Sequence, residues 1–81
     1  MNIQYHPRFK DKLRKLPQHL QEKFYKQIEF LLLNIRHPSL RAKKYDELNG
    51  IWQARVNTNI RFYFKIIKNT YLLLNIKNHP K

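Results

Sequence analysis

The hydrophobic period of this chain changes once, near Ile51, and that change limits the possible folds more than any other feature. Before it, apolar residues recur every three or four positions, which is the period of a helix with one buried face. After it, apolar and polar residues alternate, which is the period of a strand. The sequence therefore predicts an α+β domain in which the helices precede most of the strands.

The first half contains two apolar stripes separated by Pro17. Phe9, Leu13 and Leu16 predict a short first helix, and Asn2 to Tyr5 before it predict a short strand. A longer stripe predicts the second helix, which Pro17 can start because proline suits the first helical turn. Its residues are Leu20, Phe24, Ile28, Leu31 and Ile35. The two helices are expected to form an antiparallel hairpin.

The second half predicts a three-stranded antiparallel meander. Its first strand begins at Ile51, and the Asn57-Thr58-Asn59 turn leads to a second strand that begins at Ile60. Lys68-Asn69 can form a tight turn before the last strand, Thr70 to Lys77. The middle of that last strand is apolar on both faces, which predicts an internal position in the sheet.

Positive charge is the second constraint, since 17 Lys and Arg against 5 Asp and Glu give a formal net charge of +12. Residues 1–49 hold eleven basic and five acidic side chains, whereas residues 50–81 hold six basic side chains and no acidic one. A charge of this size attracts polyanions at long range. Nucleic acid or an acidic protein is the predicted partner. The net charge has three alternative explanations: it keeps the protein soluble, it binds an anionic membrane surface, or it reflects a composition that is simply rich in lysine.

Length and composition give the remaining limits. An 81-residue chain suits one core and hence one domain, residues 1–81. It has no cysteine, which excludes disulfides and thiolate metal sites and is compatible with a reducing cytoplasm. We expect a soluble cytoplasmic protein, because no signal peptide is evident and the longest apolar run, Phe30 to Leu33, is too short to span a bilayer. His6, His19 and His37 lack metal-ligand spacing, so neither a metal nor a cofactor is predicted.

The sheet face away from the helices is predicted to carry the functional side chains. Because alternate residues of a strand point to the same face, that face is expected to display Gln53, Arg55, Arg61, Tyr63, Lys65 and, past the last strand, His79. The segment from Arg41 to Asn49 is expected to be a basic loop beside it. Trp52 is in phase with Ala54 and Val56, and core packing is predicted for it rather than contact with a nucleobase.

Several short patterns are similar to those of one protein family. His37-Pro38-Ser39-Leu40 and Lys43-Lys44 resemble its connection between the second helix and the sheet. Ile60-Arg61-Phe62-Tyr63-Phe64 resembles its "yRvlY" strand, and Ile76-Lys77-Asn78-His79 resembles its closing "I-G-K-H". Leu48-Asn49-Gly50-Ile51-Trp52 is similar to the YoeB branch of that family. The family is the RelE/ParE superfamily of small bacterial toxins from type II toxin–antitoxin pairs, and the resemblance covers essentially the whole chain.

The resemblance implies a fold and a function. The implied fold is an N-terminal strand, a two-helix antiparallel hairpin and a three-stranded antiparallel meander, with the helices on one sheet face. The implied function is that of a toxin neutralised by a cognate acidic antitoxin, in a complex of both proteins. In the RelE and YoeB branches the toxin enters the ribosome and cuts mRNA. The alternatives are a ParE-like inhibitor of DNA gyrase and a silent relative that only binds its antitoxin or nucleic acid, since fold alone does not fix function.

Cleavage of RNA without a metal uses the 2′-hydroxyl as nucleophile and needs proton transfer and stabilisation of a charged phosphorane. Arg61 and secondarily Arg55 are the candidates for the phosphorane, because a guanidinium keeps its charge and offers several donors. His79 is the candidate general acid or base, because histidine titrates near neutral pH. Contacts to RNA or the ribosome are assigned to Arg41, Lys43, Lys44, Lys65, Lys77 and Tyr63. An acidic base can come only from Asp46 or Glu47, neither of which aligns with the YoeB glutamate.

Each main candidate has a simpler alternative. Arg61 can be a solvated strand residue or an ion-pair partner of Asp46 or Glu47, and His79 can be an idle residue near the end of the chain. Pro80 stands where many members of the family have a tyrosine or an acidic residue, and Gln53 stands where the RelE branch has lysine. These departures leave the gyrase inhibitor and the silent relative open.

Overall fold

The computed structural model describes residues 1–78, which form five strands and two helices. The elements are β1 (Asn2–Tyr5), α1 (Pro7–Arg14), α2 (Gln18–Leu33), β2 (Lys43–Asp46), β3 (Ile51–Arg55), β4 (Ile60–Ile67) and β5 (Thr70–Asn78). They build one sheet of order β1-β5-β4-β3-β2, in which β1 runs parallel to β5 and the other neighbours are antiparallel. The predicted α+β architecture is confirmed, and β5 is internal, as the two apolar faces of its middle predicted.

The basic segment before the sheet requires a correction. Lys43–Asp46 do not lie in a loop but form β2, which pairs with β3 and extends the meander to four strands. The pairing shifts register between Lys44 and Asp46, and three of the four residues are exposed. Charged, irregular strands are common at sheet edges, where they oppose pairing with other chains. Such a strand has no alternation of apolar residues, so its sequence does not reveal it.

Both helices bury most of the stripe that predicted them, but the last residues of the two stripes, Leu16 and Ile35, lie beyond the helix ends and are partly buried. In α1 the buried residues are Phe9 and Leu13, and the N-terminus is capped because His6 Nδ1 accepts a hydrogen bond from the Arg8 backbone N–H at 3.2 Å. In α2, Phe24 is among the buried residues, and Pro17 precedes the first turn. Neither helix of residues 1–78 has the length and apolar character needed to cross a membrane.

The core is organised around a run of phenylalanine rings between the helices and one face of the sheet. The ring centroids of Phe9 and Phe24 are 5.3 Å apart, those of Phe24 and Phe62 are 5.4 Å apart, and those of Phe62 and Phe64 are 5.8 Å apart. Such tilted and edge-on contacts suit the quadrupoles of aromatic rings. Trp52 stacks on Phe64 at 6.2 Å and packs against the core, as predicted. The polar side chains of the sheet are therefore left on the opposite face.

The turn between β2 and β3 needs a left-handed residue. Gly50 has φ 66°, and a Cβ added there meets no atom within 4 Å. Replacing Gly50 with Ala therefore costs only backbone strain, and we expect it to lower the free energy of unfolding by about 1 kcal/mol. Gly50→Asn should cost less, because asparagine tolerates this region better. Urea unfolding of both variants measures whether Gly50→Asn is more stable than Gly50→Ala and less stable than the wild type. An alanine variant as stable as the wild type contradicts this prediction.

Candidate functional site

A row of three positive side chains crosses the sheet face opposite the helices. Arg55 on β3 lies directly opposite Arg61 on β4, and Arg61 lies opposite Lys77 on β5. Like charges placed directly opposite one another in a sheet are destabilising. No ion pair relieves this row, since the only one formed by residues 1–78 joins Arg14 to Asp11 at 3.1 Å on the surface of α1. Such a row is expected where a protein binds an anion.

A cavity of about 260 Å³ opens at one end of this row. Its lining residues are Arg41, Lys43, Gln53, Arg55 and Arg61. Four of the five are cationic and none is a carboxylate. A lining with four cations and no carboxylate suits an anionic group, such as one phosphate of a polymer.

Arg61 is held in this cavity by the turn that precedes its strand. Its side chain is largely buried, with 8% of the residue exposed. Its Nη1 donates hydrogen bonds to the carbonyl oxygens of Asn57 and Thr58, each at 2.8 Å. Its Nε and Nη2 donate to no acceptor among residues 1–78. One side of the guanidinium is thus fixed while the other can bind an anion.

Arg55 and Arg41 form the second side of the cavity. Desolvation, together with the positive charges of Arg41 and Arg61, lowers the pKa of Arg55. The Arg55 backbone N–H donates to the Leu40 carbonyl at 2.8 Å, and the next residue, Arg41, has the left-handed φ of 46°. Non-glycine residues with positive φ are uncommon and often occur at functional sites. The Arg41 side chain lines the cavity together with Arg55.

Tyr63, Gln53 and Arg61 lie on the predicted face of the sheet, but the expectation that they are exposed there is wrong, because all three are buried. Tyr63 is 5% exposed, because the Tyr45 ring packs edge-on against it at 4.9 Å and Lys77 Nζ lies 5.3 Å from its centroid. Burial, and then Tyr45, raise the pKa of the Tyr63 phenol, while Arg61 lowers it. Neighbouring side chains cover this face, which an alternation of polar residues alone does not predict. The exposed aromatic is Tyr45, at 56%.

The remaining predicted contacts lie at different places. Lys44 Nζ lies 5.2 Å from the Trp52 ring on the helix side of the sheet, away from Lys43 in the cavity. Lys65 lies opposite Ile51, at the end of β3 away from Arg55. His79, the predicted general acid or base, lies outside the described residues, as do Pro80 and Lys81. The structure thus brings together Arg41, Lys43, Arg55 and Arg61 among the predicted residues.

Neither candidate for an acidic base lines the cavity. Asp46 accepts hydrogen bonds from the side chain of Asn49 at 2.8 Å and from its backbone at 3.2 Å. These bonds are the main cause that lowers the pKa of Asp46, and the charge of Lys65 adds to it. Asp46, the last residue of β2, is therefore engaged by the turn after that strand, and Glu47 lies in the turn itself. Among residues 1–78 there is no group of three or more His, Cys, Asp or Glu side chains that could hold a metal ion.

Three relevant residues were missed by sequence reasoning. Gln27 is 1% exposed, and its Nε2 donates to the Ser39 and Arg55 carbonyls at 3.1 and 2.9 Å. Its position three residues after Phe24 in the buried stripe was the available signal, because a polar residue in core phase needs internal partners. Tyr45 was missed because its segment was expected to be a loop. Lys23 of α2 lines a second cavity together with Arg41 and Arg55, and the sequence gave no signal for it, since exposed lysines are common on helices.

The charge row offers a test that does not depend on any ligand. Replacing Arg55 with Gln removes a positive charge directly opposite Arg61, so we expect a more stable protein at low salt. The gain should vanish near about 1 M salt, where screening extends only about 3 Å. Lys26→Gln makes the same charge change on the exposed side of α2 and serves as the control. Equal urea midpoints for the two variants at low salt contradict the expectation.

The fold and sequence are similar to those of known toxins. The family model described as "ParE toxin of type II toxin-antitoxin system, parDE" matches residues 3–80. The YoeB/ParE toxin from Agrobacterium tumefaciens matches with TM-score 0.80 and 13% identity, over 99% of this chain and all of that one. A chain of the archaeal RelE–RelB complex from Pyrococcus horikoshii OT3 matches with TM-score 0.79 and 15% identity, over 95% of this chain and 92% of that one.

A third match is a chain of the YoeB–YefM complex from Staphylococcus aureus, with TM-score 0.78 and 16% identity, over 99% of this chain and 98% of that one. At these identities the structural likeness shows a shared fold. No curated protein sequence matches the chain. The family assignment therefore rests on the match to residues 3–80, and the three structures support the same fold.

Proposed function

Because the chain belongs to the ParE toxin family of type II toxin–antitoxin systems, we propose that it is a toxin that cuts mRNA on the ribosome. The observation that carries the proposal is the carboxylate-free cavity in which Arg61 is held beside Arg41, Lys43 and Arg55. Such a cavity favours a phosphate group over a neutral or cationic ligand. Nucleic-acid backbones are bound mainly by Lys and Arg in this way.

The reaction that fits this cavity is an internal transesterification of RNA. The 2′-oxygen attacks the neighbouring phosphorus, its proton passes to a base, and the bond from phosphorus to the 5′-oxygen breaks as that oxygen takes up a proton. Negative charge increases on the nonbridging oxygens at the transition state. Donors already fixed in position stabilise that charge without a cost of reorganisation. Arg61 meets this requirement, because two turn carbonyls hold its Nη1.

The other residues have supporting roles in the proposal. Arg55 shares the charge of the phosphorane, and Arg41 and Lys43 bind the strand from the side of β2. Tyr45, rather than the buried Tyr63, offers a ring face for stacking on a base. Proton transfer is assigned to His79 from the sequence, because none of the described residues that line the cavity normally titrates near pH 7.

A second candidate function is inhibition of DNA gyrase. Two observations favour it: the matching family model is that of the ParE toxins, and no described residue of the cavity can act as a general acid or base at neutral pH. In this case the cationic face binds an acidic surface or DNA and no chemistry follows.

An antitoxin is the proposed regulatory partner in either case. The RelE–RelB and YoeB–YefM structures are complexes of two different proteins. A chain with a net charge of +12 suits an acidic partner. Binding of an acidic chain over the cationic face would neutralise the charge that draws the toxin to nucleic acid. A toxin–antitoxin hetero-oligomer is therefore the expected resting form.

Expression of the toxin in growing bacteria separates these functions. If the protein is an mRNA endonuclease, translation should stop, and primer extension should show cuts inside translated codons that disappear with Arg61→Ala or His79→Ala. Intact mRNA together with DNA damage would support inhibition of gyrase instead. Unaffected growth, with tight binding to the product of an adjacent gene, would leave only the antitoxin-binding relative.

A further inference from the structure

A second and larger cavity adjoins the first and shares two of its residues. Its volume is about 430 Å³, and Arg41 and Arg55 line both cavities. The other side is formed in part by Lys23 of α2, by Ser39 and by Thr58. None of its lining residues is a carboxylate. A cationic path thus continues from Arg61, over the two shared arginines, to a lysine on the helix layer.

The wall between the two cavities is fixed from within the core. Gln27 Nε2 donates to the carbonyls of Ser39 and Arg55 at 3.1 and 2.9 Å, and Ser39 Oγ donates to Gln27 Oε1 at 2.9 Å. The Leu40 carbonyl accepts from the Arg55 N–H at 2.8 Å. These bonds tie α2, the segment before β2, and β3 together at one place. Arg41 and Arg55 therefore project from a backbone that is held on both sides.

The opposite wall is equally constrained. Asn57 Oδ1 accepts hydrogen bonds from the backbone N–H groups of Asn59 and Ile60 at 2.9 and 2.8 Å. The carbonyls of Asn57 and Thr58 hold Arg61 in the first cavity, while both residues also line the second. One turn thus sets the position of the cation in the first cavity and forms a polar wall of the second.

We propose that the second cavity binds the phosphate next to the one bound at Arg61 on the same RNA strand, with Lys23 as its outer cation. This proposal rests on the proposed function and extends it to a second subsite. Successive phosphates of a strand need successive cations, and an arginine fork can donate to two phosphates at once. Arg41 and Arg55 are placed for this, because each lines both cavities. The lining is mostly polar and charged, unlike the apolar centre of a protein interface.

Binding of uncleavable oligonucleotides to the full-length protein tests the second subsite. The probes are a dinucleotide with one phosphate and a hexanucleotide with five, both 2′-deoxy at every position. Lys23→Gln should weaken binding of the hexanucleotide by about threefold to tenfold at low salt, and should reduce the slope of log K against log salt by about 0.7 to 1. It should leave the dinucleotide unchanged. Lys26→Gln, with the same charge change three residues further along α2, should change neither.

The outcomes separate the subsite from the function on which it rests. If Lys23→Gln behaves like Lys26→Gln on the hexanucleotide while Arg61→Gln weakens both probes, the second subsite is wrong and the phosphate site at Arg61 stands. If Lys23→Gln weakens binding of both probes equally, the second subsite is also wrong, because Lys23 then acts on the first phosphate. If Lys23→Gln weakens only an acidic peptide and not the hexanucleotide, the cavity is a protein site. Wild-type protein that binds neither probe overturns the proposed RNA function itself.

Discussion

Replacing Arg61 with Lys is expected to slow the proposed mRNA cleavage by about a hundredfold to a thousandfold, the usual cost of losing one fixed donor to a developing negative charge. The substitution keeps the net charge of +12, so long-range attraction to RNA is unchanged. The substitution removes the planar guanidinium group. A lysine ammonium cannot donate to the Asn57 and Thr58 carbonyls and at the same time present two donors to phosphate. Primer extension in a translation reaction, followed over time, measures the rate.

Arg36→Lys is the matched control for this prediction. It makes the same exchange at an exposed position between α2 and β2, and it should cleave at the wild-type rate. Urea unfolding of both variants is needed, since Arg61 is buried and loses two hydrogen bonds. If the folded Arg61→Lys variant cuts mRNA as fast as the control, Arg61 has no role in catalysis.

Replacing Gln27 with Leu is expected to lower the free energy of unfolding by about 2 to 4 kcal/mol, although leucine is apolar and similar in size. The reason is the pair of carbonyls of Ser39 and Arg55, which Gln27 Nε2 satisfies from a side chain that is 1% exposed. A buried acceptor left without a donor costs about 1 to 3 kcal/mol. Gln18→Leu, at an exposed position of the same helix, should stay within about 0.5 kcal/mol of the wild type in urea unfolding.

The Gln27 variant should also bind nucleic acid less tightly while it is still folded. The amide holds the backbone from which Arg41 and Arg55 project, so its loss loosens the wall shared by the two cavities. Titration of the uncleavable hexanucleotide well below the unfolding midpoint measures this effect. A destabilised variant with unchanged affinity shows that the wall keeps its shape without Gln27.

The architecture was largely predictable from hydrophobic period. The stripes of α1 and α2, the turn at Asn57 and the internal position of β5 were all confirmed. In each case burial of apolar side chains selects the element, and apolar residues are visible in a sequence. β2 was missed because it joins the sheet through backbone pairing with β3, with Lys43, Lys44 and Tyr45 exposed. Backbone pairing of an exposed edge strand leaves no pattern in the side chains.

The candidate site was predictable only in part. Strand phase correctly placed Arg55 and Arg61 on one face, since alternate residues of paired strands share a face. It did not predict that Tyr63 is covered, by Tyr45 from β2 and by Lys77 from the adjacent strand β5. Which side chain of a face is covered depends on its neighbours across the sheet, and those are residues far apart in the chain.

By itself, the sequence determined that this chain forms helices and then a sheet, and that the sheet-forming half carries no acidic side chain after Glu47. These properties follow from residue order and composition, which act locally. The tertiary structure decided that Arg41, Lys43, Arg55 and Arg61 line one cavity, and that Lys23 reaches a second one beside it. That arrangement depends on the β2–β3 pairing, on the Asn57 turn and on Gln27, and each of these joins segments whose proximity exists only after folding.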